Sequence, residues 1–426
     1  MKVFDPSVLR PGVRFSEVLS WASYDFANSG YATVVLTAVY NAFFVTVVAG
    51  DADWATLAWT AAVSGSNLLS LAVIPYISAQ SDQKANKKKW LFILTMLCIL
   101  STAMLSFSGP GTLALATIFI IISNLAFNAG VAVNSAFLSE LAEPHAFGKV
   151  SGWGWGFGYI GGIVTLAVCL IIVQTMDFLS MNERVGYCML ATAGIFLVGT
   201  LPMFFCVKER SKPQLNVVKP SPLEEFKSTV KVVFKEDKSF SWLCLAGVFY
   251  QAGIAVVITL SAVYAQIVLK FTTEQTITLI LAVNFAAAGG AWYFGYLEDR
   301  LGHKKVLLLT IGIWIAVVLI AAVSYSHALF WVAATLAGIA MGSSQSAGRS
   351  MVASLAPEQR LTQYYSLWNA AVWIANIFGP ISYGLITWMS LGNQRIAILI
   401  TGLYFVVGAL CLKPVVIPKN RIASPE

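Results

Sequence analysis

Apolar runs separated by short polar stretches fill nearly the whole chain, and twelve of them reach the roughly 20 residues needed to cross ~30 Å of hydrocarbon. They cover residues 18–48, 55–78, 90–108, 112–138, 150–176, 185–207, 240–269, 275–297, 306–324, 328–352, 362–389 and 395–412. Backbone groups in lipid must hydrogen-bond within their own segment or a closed barrel, and these runs far exceed the roughly ten alternating residues of a barrel strand. The pattern predicts an all-α membrane protein with twelve transmembrane helices.

Polar positions set the orientation. With the N-terminus inside, 23 Lys and Arg fall in cytoplasmic segments, while three, Arg184, Lys270 and Arg395, fall outside. That bias predicts cytoplasmic termini, in the plasma (inner) membrane if the chain is bacterial. Composition agrees, with 58% hydrophobic and 11% charged residues against about a quarter charged in soluble domains. The net charge of +7 then reflects topology and implies no nucleic-acid partner. Residues 1–17 hold no apolar core long enough for a cleavable signal peptide. The six cysteines lie in or beside apolar runs without a CxxC pair, and His145, His303 and His327 fall in predicted loops. Neither a metal site nor a cofactor is expected.

The chain repeats itself. Its longest connection, 208–238, separates two sets of six spans, giving halves 1–207 and 239–426. LTAVY (36–40) returns as LSAVY (260–264), and ELAEP (140–144) is echoed by SLAP (354–357). SDQKANKKKW (81–90) aligns with EDRLGHKKVL (298–307), pairing Asp82 with Asp299. Two pseudo-symmetric six-helix halves are the build of a transporter that rocks about a central site.

GYLEDRLGHKK (295–305) resembles the loop signature of the major facilitator superfamily between the second and third helices of a half. The resemblance implies a cytoplasmic latch. Asp299 would accept from the N-terminus of a neighbouring helix while Arg300, Lys304 and Lys305 stay at the headgroups. Asp82 is its counterpart in the first half, where Ser78, Gln83 and Ala85 replace the usual glycine, arginine and glycine. Glu140, at the end of span four, is read as a capping or latch residue. WASYDFANSGYAT (21–33), NSAFLSELAEP (134–144), GSSQSAGRSMVASLAP (342–357) and FGPISYG (378–384) are together similar to the branch holding vacuolar amino-acid effluxers and many bacterial relatives. YQAG (250–253) departs from the Tyr-x-Asp-Gly that this branch carries in span seven.

Polar stripes mark the faces of a cavity, because an unpaired polar group turned to lipid is costly. Thr335, Gly338, Gly342, Gln345 and Arg349 share one face of span ten, and Asn124, Asn128, Ser135 and Ser139 one face of span four. Span one offers Asp25, Asn28, Ser29 and Thr33, with each step of four drifting slowly around the helix; spans seven and eleven offer Tyr250, Tyr264 and Asn369. Such stripes also serve helix packing. Charges within a span are rarer, so Asp25 and Arg349 stand out. Two readings stay open for them: a gate, or contacts to the amine and carboxylate of a zwitterion. Asp25 is also the candidate to exchange a coupling proton or cation.

SGWGWGFGYIGG (151–162) lacks the Lys-Ser/Thr of a phosphate loop, and Gly154, Gly158 and Gly162 give a smooth face for close helix packing. In the linker, SPLE (221–224) starts an amphipathic helix with Leu223, Phe226, Val230 and Phe234 on one side and lysines available to anionic headgroups. The reading is a monomeric transporter of a small-molecule substrate, an amino acid by resemblance, working within the lipid bilayer by alternating access. Lysolipid- or drug-like amphipaths are the alternative cargo. A non-transporting sensor is the alternative class, and no span assembles a catalytic constellation.

Overall fold

The computed structural model describes residues 6–50, 52, 54–176, 178–211, 221–271, 273–391 and 393–417. Among them twelve helices are long and apolar enough to cross a membrane, and no strand forms. The chain is an integral, multi-pass membrane protein of all-α architecture. The first half holds α1 (Phe15–Val48), α2 (Ala55–Lys84), α3 (Lys87–Met104), α4 (Leu113–Ser135), α5 (Phe147–Thr175) and α6 (Met181–Cys206). The linker helix α7 (Pro222–Lys235) precedes α8 (Lys238–Leu269), α9 (Thr273–Leu301), α10 (His303–Val323), α11 (His327–Leu355), α12 (Leu361–Met389) and α13 (Gln394–Leu412).

Several helices run past their apolar stretch. α2 continues to Lys84 and α9 to Leu301, while α3 starts at Lys87 and α10 at His303. Hydropathy tracks the hydrocarbon slab, whereas backbone hydrogen bonding continues into the headgroup layer. Two of the predicted loops therefore shrink to matching turns, with Ala85 at φ 47° and Gly302 at φ 92°. At Ala85 the Cβ meets a conformation that costs an L-residue about 1–2 kcal/mol, a strain glycine avoids at the second turn. His303 and His327, expected in loops, instead open helices.

The chain forms two compact units: residues 1–141 with 157–226, and residues 142–156 with 227–426. Each repeats one packing scheme. In the first, α1 lies against α6, α3 against α4 and α6, and α2 against α4. In the second, α8 lies against α13, α10 against α11 and α13, and α9 against α11. The opening of α5 belongs to the second unit and the remainder to the first.

Buried aromatic residues with satisfied polar tips fix α1 in its unit. The Trp21 indole donates to Asn134 O at 2.9 Å, and the hydroxyls of Tyr24, Tyr31 and Tyr40 pair with Thr95, Ser123 and Ser108 at 3.2, 2.8 and 2.7 Å. α1 also widens into π-helix over Ala32–Ala38 and Phe44–Val48. Wider turns offset the drift of residues spaced by four. In the second unit Trp314 stacks on Phe405, ring centroids 5.5 Å apart.

The linker helix differs from the sequence expectation. Thr229 and Val233 are its buried face, with Thr229 Oγ1 donating to Gln363 Oε1 at 2.5 Å. Phe234 is 66% exposed, and Lys227, Lys231 and Lys235 are exposed beside it. The side chain of Leu223 lies outside the described ones. Periodicity located an apolar stripe, but the docking face is the small, half-polar strip next to it.

Candidate functional site

In the first unit the candidate residues fall into two groups. Asp25, 5% exposed, accepts from Asn134 Nδ2 at 3.1 Å, the residue whose carbonyl also takes the Trp21 indole proton. Asn28 is buried one turn on, and its Oδ1 makes no hydrogen bond. Ser29 and Thr33 face α5, where a Cβ on Gly158 would lie 2.7 Å from Ser29 Oγ and one on Gly162 would lie 2.6 Å from Thr33 Oγ1. Asn124 and Asn128 reach α2: Asn124 Nδ2 donates to Ser66 Oγ, and Asn128 Nδ2 to Asn67 Oδ1 and Ser70 Oγ at 3.1 and 3.2 Å. The span-four stripe is thus bonded to a polar stripe on α2 that sequence reading passed over.

In the second unit Arg349 is 6% exposed, its guanidinium 5.0 Å from the centroid of the Trp155 ring, and Tyr365 donates to its carbonyl at 2.9 Å. Trp155 lies in the α5 segment that this unit takes in. Gln345 exchanges amide hydrogen bonds with Gln251 at 3.3 and 3.4 Å. Gln251 is the polar member of YQAG, the phrase that departs from Tyr-x-Asp-Gly. Tyr250 is fully buried beside Trp368 with no partner for its hydroxyl, and the Asn369 side-chain amide also donates to nothing. Tyr264 is placed apart from these, its hydroxyl donating to Ala321 O at 2.8 Å and its ring stacked on Phe330.

Asp299 caps the N-terminus of α5, accepting from the backbone N–H of Gly148 at 3.0 Å and Lys149 at 3.1 Å. Ser350 Oγ donates to Phe147 O and Ser151 Oγ to Ser346 O, lacing the same segment to α11. Gly148 and Gly152 let α5 approach the Ala291–Gly295 stretch of α9 closely. Arg300 and Lys305 are exposed. Lys304, expected at the headgroups, instead donates to Lys413 O and Val415 O at 2.6 and 2.8 Å, closing the C-terminus of α13 where carbonyls lack helical partners.

Basic residues at the matching turn of the first half do the same work. Lys88 Nζ donates to Val207 O at 2.6 Å, just past α6. Lys87, 1% exposed, forms an ion pair with Glu140 at 2.7 Å, and Asp82 lies buried within electrostatic reach of Lys87. Glu140 Oε2 accepts Arg210 N, and Arg210 itself grips Glu17 through both guanidinium nitrogens at 2.9 Å. Glu209 accepts the N–H groups of Lys87 and Lys88, while burial pushes its carboxyl above the usual range. The KER run at 208–210 was counted only as charge in the sequence, and it proves to be a knot of caps and ion pairs.

The sequence profile described as "Vacuole effluxer Atg22 like" matches residues 55–423. The chain belongs to this family. Within curated proteins it is 28% identical over 404 residues to the MFS-type transporter YxiO of Bacillus subtilis, covering 92% of this chain and 93% of that one. It is 22% identical over 395 residues to a protein of Aquifex aeolicus, covering 92% and 94%. Among solved structures the proton:xylose symporter XylE superposes with a TM-score of 0.76 at 16% identity, covering 95% of this chain and 96% of that chain. The human organic anion transporter MFSD10 superposes with a TM-score of 0.72 at 14% identity, covering 93% and 99%. The Atg22-like family member described here is therefore a transporter of the major facilitator superfamily fold.

Proposed function

We propose that the protein is a secondary active transporter that moves an amino acid across the membrane by alternating access. The observation that carries this reading is the burial of Arg349 within a membrane-spanning helix, backed by an indole face instead of lipid. A guanidinium inside a membrane span is costly to keep, and such charges mark ion or substrate paths by default. Arg349 offers the planar fork that suits a carboxylate. Asp25, oriented by Asn134, offers the opposite charge for an ammonium group or for a gate. Asn28, Tyr250, Gln345 and Asn369 add neutral hydrogen-bonding groups. Asp299 on the α5 N-terminus, with Asp82 and the basic turns, acts as the latch that holds one state. The excess of Lys and Arg in alternate loops supports cytoplasmic termini in an inner or plasma membrane. The working unit is a monomer.

The test is uptake of radiolabelled leucine and other amino acids into proteoliposomes by the wild type, D25N, R349Q and R349K. Loss of at least about tenfold in all three variants, with unaltered melting temperature, is the expected result. R349K is included because an ammonium group cannot reproduce bidentate recognition. Wild-type rates in D25N and R349Q would remove both residues from the transport path.

A further inference from the structure

Glu298 has no part in the transport reading above, yet it is the residue next to the latch carboxylate and is fully buried. Its Oε2 lies 3.0 Å from His303 Nδ1, and its Oε1 makes no hydrogen bond. The lid over it is the opening of α5, because a Cβ added to Gly148 would run into Glu298 Cβ. Every element around the pair contributes identifiable groups. α9 supplies Asp299 and the exposed Arg300, and α10 supplies His303. α11 presents the hydroxyls of Ser346 and Ser350, with the Arg349 guanidinium directed to Trp155. α5 brings Lys149, whose ammonium sits 5.3 Å from the Tyr296 ring centroid.

We propose that Glu298 and His303 form a proton-binding site that is loaded when the 147–156 segment is seated on α9 and α11, and emptied when that segment lifts. An ionised carboxylate with an unpartnered oxygen is costly away from water, and the cost grows with Asp299 beside it. Both Asp299 oxygens already accept an N–H group of α5, whereas Glu298 Oε1 accepts none. The extra proton therefore goes to Glu298, forming an O–H bond on its carboxyl, with the His303 ring hydrogen-bonded beside it. Lifting the segment takes Gly148 off Glu298, water hydrates the carboxylate, and the proton passes to that water. Seating and proton binding are one equilibrium, so each strengthens the other. As the coupling site of the carrier, the pair rests on the transporter reading; as a proton site, it does not.

The experiment is hydrogen–deuterium exchange of the full chain in lipid nanodiscs, following the peptide 145–156 from about pH 5.5 to 8.5 and corrected for intrinsic exchange. Wild-type protection is expected to fall as pH rises, by at most about tenfold per pH unit for one linked proton. E298Q carries no titrating proton and is expected to hold its protection across the range, whereas D299N loses it at every pH. A flat wild-type profile, or an undiminished slope in E298Q, overturns the proposal; the wild-type profile is decisive even if E298Q does not fold. A second arm compares leucine counterflow, which needs no ion gradient, with proton-gradient-driven leucine accumulation. E298Q is expected to keep the first and lose the second. Counterflow absent from the wild type, beside a sloping exchange profile, would remove leucine as the cargo and leave the proton site standing.

Discussion

The carboxylate of Asp299 and the backbone N–H of Gly148 stand 3.0 Å apart, 151 residues distant in sequence. With the neighbouring bond to Lys149 N, this gives α5 an N-cap supplied by another helix. Removing a capping side chain costs about 0.5–2 kcal/mol. D299A is expected to lower stability by that amount in detergent melting curves, and an unchanged midpoint would show that the cap contributes nothing.

Gly162 meets Thr33 so closely that an alanine there would place its Cβ 2.6 Å from Thr33 Oγ1 but 3.6 Å from Thr33 Cβ. Overpacking of this kind costs about 1–3 kcal/mol. G162A is expected to destabilise by that much and G162A/T33A to recover most of it. Equal melting temperatures for the single and double variants would mean that the helices simply move apart.

Lys87 and Glu140 form a buried ion pair, and breaking such a pair from one side strands a charge at a cost of about 3–5 kcal/mol. K87M is expected to fall in that range. K87M/E140L should be less damaging than K87M alone, although Arg210 N then loses its acceptor. Fluorescence-detected size exclusion after heating ranks the variants. A double variant worse than K87M would show that the carboxylate matters chiefly for Arg210.

Glu209 sets a pH dependence with a definite sign. Burial raises its pKa, while the N–H groups of Lys88 and Lys87 pull the other way without winning. A raised carboxyl contributes stability that is full below the ordinary value near 4.3 and is lost as pH climbs through the folded-state value. E209Q is expected to remove that loss, so the wild-type minus variant difference in melting temperature should become more negative as pH rises from about 4. A difference independent of pH would contradict the assignment.

The spans were legible because hydrocarbon thickness imposes a length on apolar runs, and the glycine face at 158 and 162 because small residues at a spacing of four permit close helix approach. Helix ends were less legible, since α2 and α9 continue through Asp82 and Asp299 after hydropathy has fallen. Periodicity placed Asn124 and Asn128 on one face but not opposite Ser66, Asn67 and Ser70, because a period identifies a face and not its neighbour. Lys87 with Glu140, Glu17 with Arg210 and Asp25 with Asn134 are tertiary meetings across 53, 193 and 109 residues, beyond any local signal. Glu298 was hidden by position, one residue before the aspartate that draws attention.

Counterflow in proteoliposomes tests the central claim most directly. Vesicles are loaded in turn with unlabelled neutral, acidic and basic amino-acid pools, and entry of the labelled counterpart is followed. Transient accumulation with one pool, abolished in R349Q, is the result expected of an amino-acid carrier. No accumulation with any pool, from protein shown to be folded, would contradict it.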